Sequence, residues 1–161
     1  MRLKDIKWGI AASIIVVADQ LVKFFVCNNL SQSDSAVIIP KILNFIYVKN
    51  TGAAFSMFSG KTAALGAVSI LFCVGVLIFW IFKKPQHILF KLSLALLFAG
   101  ALGNAIDRIW RGFVVDFIET AFIKFPVFNI ADISITIGTA LLMIYLLFFD
   151  KAGSKDGETV N

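Results

Sequence analysis

Histidine is almost missing from this chain, with a single one, His87, in 161 residues. One imidazole excludes a His-rich metal centre. It stands in a short basic turn far from either cysteine, so neither thiol has a base for nucleophilic catalysis. Cysteine itself is scarce. Cys27 falls at the end of one apolar run and Cys73 in the middle of another, at depths differing by roughly half a bilayer, so no disulfide joins them and both read as small buried residues. Cys27 follows Val26 where a lipid-attachment site wants a small residue. Charge is short as well, at 16% of the residues against roughly a quarter in a soluble domain. The net charge of +5 sits at segment ends rather than in a continuous patch with stacking aromatics, which excludes nucleic acid as a partner.

What the chain has in abundance is apolar side chains, 59% of the total. About 20 helical residues cross the ~30 Å hydrocarbon core of a bilayer, and four segments qualify: residues 8–27, 62–82, 88–106 and 130–149. The first is a retained span rather than a signal peptide, because its apolar run is too long and "FFVCNNL" lacks a small-x-small cleavage pattern. Outer loops at 28–61 and 107–129 alternate with the short turn "KKPQH" and a tail, 150–161, whose sequence from Lys151 reads as disordered. Of the 15 Lys and Arg, eight fall in the short segments that share a side with both termini. The positive-inside rule therefore puts both termini in the cytoplasm and the longer loops outside. "ILNFIYVKN" has strand character, and "NTGAAFSMF" follows with Gly52 permitting a tight turn. The expected fold is an all-α membrane protein: one membrane domain over 1–161, four transmembrane helices and a small extracytoplasmic β-sheet on the outer face.

The polar residues in such a chain need a reason. Asp19 and Lys23, four apart in the first span, share a helix face and neutralise each other; the pair reads either as a packing device or as a direct substrate contact. "GALGNAIDRIWRGFVVDF" (100–117) brings Asn104, Asp107, Arg108, Arg111 and Asp116 together at the end of the third span. Arg108 taken alone reads as an arginine reaching for lipid phosphate beside an exposed Asp107. In the fourth span Asn129, Asp132, Thr136 and Thr139 make one polar stripe, a face expected to look into protein or a wet cavity. Asp116 is flanked by apolar residues in "GFVVDFI" and pinned at the same interface as Asp132. Two facing carboxylates in a partly dry site would share one proton, the ionised member activating water and the protonated one polarising a carbonyl.

Taken in order, "DQLVK" (19–23), "NTGAAFS" (50–56), "GNAIDRIWRGFVVDFI" (103–118) and "FNIADISI" (128–135) closely resemble the bacterial lipoprotein signal peptidases, signal peptidase II. The resemblance runs from the first span to the fourth. It implies a membrane-embedded aspartic endopeptidase that removes the signal peptide from prolipoproteins, cutting on the N-terminal side of a diacylglyceryl-modified cysteine. By motif, Asp116 and Asp132 would be the catalytic dyad. Asn50, Gly52, Asn104, Arg108 and Asn129 would surround it, with Asp19 and Asp107 in support and the first outer loop forming a β-cradle and lid. The resemblance implies no metal and no cofactor. Its expected partners are lipid-modified prolipoproteins and the lipids of the bacterial cytoplasmic membrane, and globomycin is the expected inhibitor.

Two readings compete from outside that family. A small transporter or proton relay also uses intramembrane Asp, Asn and Thr, but a pathway needs polar residues through the whole thickness, and the inner halves of the second and fourth spans are apolar. A pure scaffold leaves the paired aspartates and the polar stripe without a purpose. The Gly-x-Gly-Asp signature of presenilin-type proteases is absent.

Overall fold

The computed structural model describes residues 5–31, 33–52, 57–58 and 60–150. Residues 53–56 of the "NTGAAFS" motif, the lid expected there, and the tail from 151 lie outside the described residues. Four helices, α1 (Ile6–Asn29), α2 (Thr62–Lys83), α3 (Ile88–Trp110) and α4 (Ile130–Phe148), and three strands, β1 (Ser35–Ile39), β2 (Leu43–Asn50) and β3 (Val114–Thr120), make up the fold. All four helices are long and apolar enough to cross a membrane.

α3 is the central helix, flanked by α1, α2 and α4, and small side chains allow that. A Cβ added at Gly100 would come within 2.6 Å of Ile135 Cγ1 and nearer still to the Ala131 carbonyl oxygen, and one at Gly138 within 3.0 Å of Leu97 Cγ. α3 and α4 can therefore approach only where no side chain intervenes. At one end, Lys84 closes α2 in a left-handed conformation and donates its N–H to the Trp80 carbonyl at 3.2 Å. The chain then turns into α3 within four residues, giving the antiparallel hairpin expected from "KKPQH".

α3 runs four residues past its expected span end at 106, to Trp110. Asp107 and Arg108 are therefore helical rather than part of a loop. Asp107 has protein partners on both carboxylate oxygens, so neither residue has to leave the helix to reach water.

At the opposite end the strands form one antiparallel sheet in the order β1-β2-β3. Val115, Phe117 and Ile118 of β3 form a core with Val26 of α1, which Val22, Cys27, Leu30, Phe45 and Tyr47 extend. The sheet is thus built on the last turns of α1. After β3 the chain returns to α4 by way of Phe128, whose N–H and carbonyl bond Ile118.

Candidate active site

Strand register explains how Asn50 reaches Asp116. Asn50 lies opposite Val114 and Val48 opposite Asp116, so the period of two puts Asn50 and Asp116 diagonally on one sheet face. Asn50 Nδ2 donates to Asp116 Oδ2 at 2.9 Å, while its Oδ1 accepts the Gly52 N–H at 2.9 Å. Asn50 thereby holds the carboxylate with one end and its own turn with the other.

The second carboxylate is placed by a helix start. Asn129 caps α4: its Oδ1 accepts from the Asp132 N–H at 2.9 Å, and Asp132 Oδ2 accepts from the Asn129 N–H at 3.2 Å. This is a capping box with Asp in the third position. Asn129 also donates through Nδ2 to Asp116 Oδ1 at 2.7 Å. Asn104 of α3 donates to Asp132 Oδ1 at 2.8 Å. One asparagine therefore touches both aspartates, and a second binds Asp132 from the neighbouring helix.

The pair is electrically coupled and mostly dry. Burial raises the Asp116 carboxyl to about 6; the bond from Asn50 opposes the rise, the Asp132 charge adds to it, and Asn129 and Lys23 oppose it. Such a group keeps its proton closer to neutrality than an ordinary aspartate. Arg108 donates Nη2 to the Gly52 carbonyl at 3.1 Å, and its Nε is buried without a partner. Its guanidinium is therefore built into the site rather than spread toward lipid phosphate.

Behind the carboxylates lies a fully buried ionic cluster. Lys23 Nζ contacts Asp19 Oδ2 and Asp107 Oδ2 at 2.8 Å each and donates to Asn104 Oδ1 at 3.1 Å. Three donors meet three acceptors, the condition under which a buried ammonium is tolerated. Asp19 Oδ1 takes the Ala131 N–H at 3.0 Å, and Asp107 Oδ2 takes the Val115 N–H at 3.1 Å. The cluster thus fixes the first turn of α4, which carries Asp132, and the strand that carries Asp116.

All nine expected site residues join one hydrogen-bonded assembly. Three more belong to it: Lys23, Gln20, which donates to Asp19 and Asp107, and Arg111, which pairs with Asp107 and bonds Gln20. The i, i+4 spacing of Asp19 and Lys23 signalled the first; no local pattern signalled Gln20. The polar stripe of α4 is corrected. Thr136 and Thr139 are exposed, and Thr136 returns its hydroxyl to the Asp132 carbonyl at 2.9 Å, so it needs no covering partner in an apolar setting.

The sequence profile described as Signal peptidase (SPase) II matches residues 11–148. The chain belongs to the signal peptidase II family. Relatives named lipoprotein signal peptidase include one from Lactobacillus johnsonii, 38% identical over 151 residues, 93% of this chain and 97% of the relative. Another, from Staphylococcus aureus, is 40% identical over 149 residues, 91% of each chain. A solved structure described as a bacterial membrane enzyme superposes with a TM-score of 0.84 at 36% identity, over 96% of this chain and 94% of that one. A second, so described, gives 0.80 at 38% identity over 89% and 94%. The signal peptidase II chain is accordingly a multi-pass membrane peptidase, with four spanning-type helices and a three-stranded antiparallel sheet.

Proposed function

We propose that this chain is an aspartic endopeptidase that cleaves diacylglyceryl-modified prolipoproteins on the N-terminal side of the lipidated cysteine, with Asp116 and Asp132 as its dyad. The observation that carries the reading is the pair of carboxylates bridged by Asn129 and braced by Asn104 and Asn50. The pair holds one proton between its members. The ionised carboxylate takes a proton from water as the oxygen attacks the scissile carbonyl, and the protonated one donates toward the developing oxyanion. As the tetrahedral intermediate collapses the C–N bond breaks, the carboxyl that took water's proton passes it to the leaving amine, and the other carboxylate recovers its proton from the intermediate's hydroxyl. The products are a signal peptide with a new carboxylate and a lipoprotein whose lipidated cysteine carries a free amine.

The membrane supplies the substrate geometry. An acylated cysteine keeps its chains in one leaflet while the signal helix spans the bilayer, so the scissile bond arrives near headgroup depth. The bridged carboxylates stand at that depth, at the sheet-bearing ends of α3 and α4. Arg108 and the asparagines orient the dyad and meet substrate carbonyls. Both termini are assigned to the cytoplasm and the sheet to the extracytoplasmic face of a bacterial cytoplasmic membrane, and globomycin is the expected inhibitor.

The deciding experiment is a gel-shift assay of purified protein on a diacylglyceryl-modified prolipoprotein. Asp116→Asn and Asp132→Asn, nearly isosteric, should each lower the rate by at least about 100-fold, and globomycin should block the wild type. Turnover surviving in either variant would remove that aspartate from the dyad.

A further inference from the structure

The end of the sheet farthest from the bridged carboxylates carries a surface that the peptidase chemistry does not use. Ile39 pairs with Leu43, and Leu43 with Thr120; the Ala121 N–H bonds the Ile42 carbonyl at 2.9 Å. The β1–β2 turn and the segment after β3 therefore form one tip. Four residues of strand separate Thr120 at the tip from Asp116, or about 13 Å at ~3.3 Å per residue.

The tip is apolar and open. Ile39, Ile42, Phe122, Ile123 and Phe125 are 45% to 64% exposed. β1 is an edge strand with Val37 and Ile38 also exposed, so successive residues on both its faces lack cover. In water such an edge invites pairing with another chain. Each connection also sets one exposed lysine among its apolar residues, Lys41 in "IPKI" and Lys124 in "FIKF". The nearby carboxylate, Glu119, accepts from Asn44 at 3.0 Å within the sheet.

We propose that this tip is a membrane-docking surface: its apolar residues enter the leaflet on the sheet side, and Lys41 and Lys124 meet anionic phospholipid headgroups. Continuity with the spanning surface supports lipid as the occupant. The sheet core is built on Val22 and Val26 of α1, a spanning helix that ends only at Asn29, so the sheet lies at the level where hydrocarbon gives way to headgroups. Lysine beside apolar side chains is the composition that suits that level. The proposal is independent of the catalytic assignment.

The test uses the full chain with Cys27→Ser and Cys73→Ala, reconstituted in phosphatidylcholine vesicles with and without phosphatidylglycerol. Spin labels are placed singly at Ile42→Cys, Phe122→Cys and, as the water-facing control, Ser33→Cys. At the first two sites, collision with oxygen relative to a water-soluble nickel chelate should exceed the control ratio severalfold. Adding phosphatidylglycerol should raise it further, and Lys41→Gln with Lys124→Gln should abolish that increment. Control-like ratios at both tip sites would overturn the proposal, as would dipolar broadening between labelled copies, which would assign the tip to a second copy of the chain. Intact Ile42→Cys and Phe122→Cys proteins that elute like the parent exclude misfolding as the cause of either result.

Discussion

Lys23 is held by three buried acceptors, Asp19, Asp107 and Asn104, and its removal shows what they are for. Lys23→Met would leave Asp19 buried without its cation and Asp107 with Arg111 alone. An uncompensated buried charge costs roughly 3–5 kcal/mol, so thermal unfolding in detergent should shift sharply downward. Adding Asp19→Asn and Asp107→Asn should restore part of the loss. Asn50 acts on protonation instead. Its hydrogen bond favours the ionised Asp116, so Asn50→Ala should move the Asp116-dependent limb of the pH–rate profile upward from about 6; an unmoved limb would contradict the assignment. The same shift governs stability. Asp116 keeps its proton in the folded chain up to about 6 against 3.8 ordinarily, so between those values the folded state binds more protons than the unfolded one. Its contribution is complete below pH 3.8 and lost as pH rises through about 6. Asp116→Asn should flatten that part of a melting-temperature profile.

Among the elements, α4 is set most tightly against its neighbour. Gly100→Ala would drive a methyl into Ala131 and Ile135, displacing the turn that presents Asp132. A loss of about 1–3 kcal/mol is expected for such overpacking, with turnover falling further than the melting temperature alone would imply. Elements of this kind were largely legible in the sequence. Long apolar runs announce helices because a bilayer requires them, and the glycines of "GALG" announce a close neighbour. Asp132 at a helix start and Asp116 among apolar neighbours in an outer loop also stood out as misplaced charges. Strand order, register and the joint use of Asn129 as cap and bridge did not, since they depend on pairing between segments far apart in the chain. The α4 stripe misled for a related reason: spacing puts four residues on one face, but it cannot tell a threonine bonded to its own helix from one that needs a partner.

The whole molecule is fastened at both ends of the bundle. Opposite the Lys23 cluster, Lys91 of α3 pairs with Asp5 at 2.8 Å just before α1, with both side chains largely buried. Two ionic ties therefore set α1 against α3 in height as well as in rotation. The assigned orientation is checked by an impermeant thiol reagent on intact cells, in a Cys27→Ser, Cys73→Ala background. Ser33→Cys should react and Gln86→Cys should react only after lysis; the reverse pattern would invert the topology. The Lys23 cluster also carries a timetable. Asp19 is made four residues before Lys23, but Asn104 follows 81 residues later, and Asp107 just after it. At ~5–20 residues per second, ribosomal synthesis leaves a gap of roughly 4–16 s. Throughout that interval α1 has only its own i, i+4 partner to make its ammonium acceptable to lipid. The arrival of α3 then turns a lone neutral pair into a closed cluster.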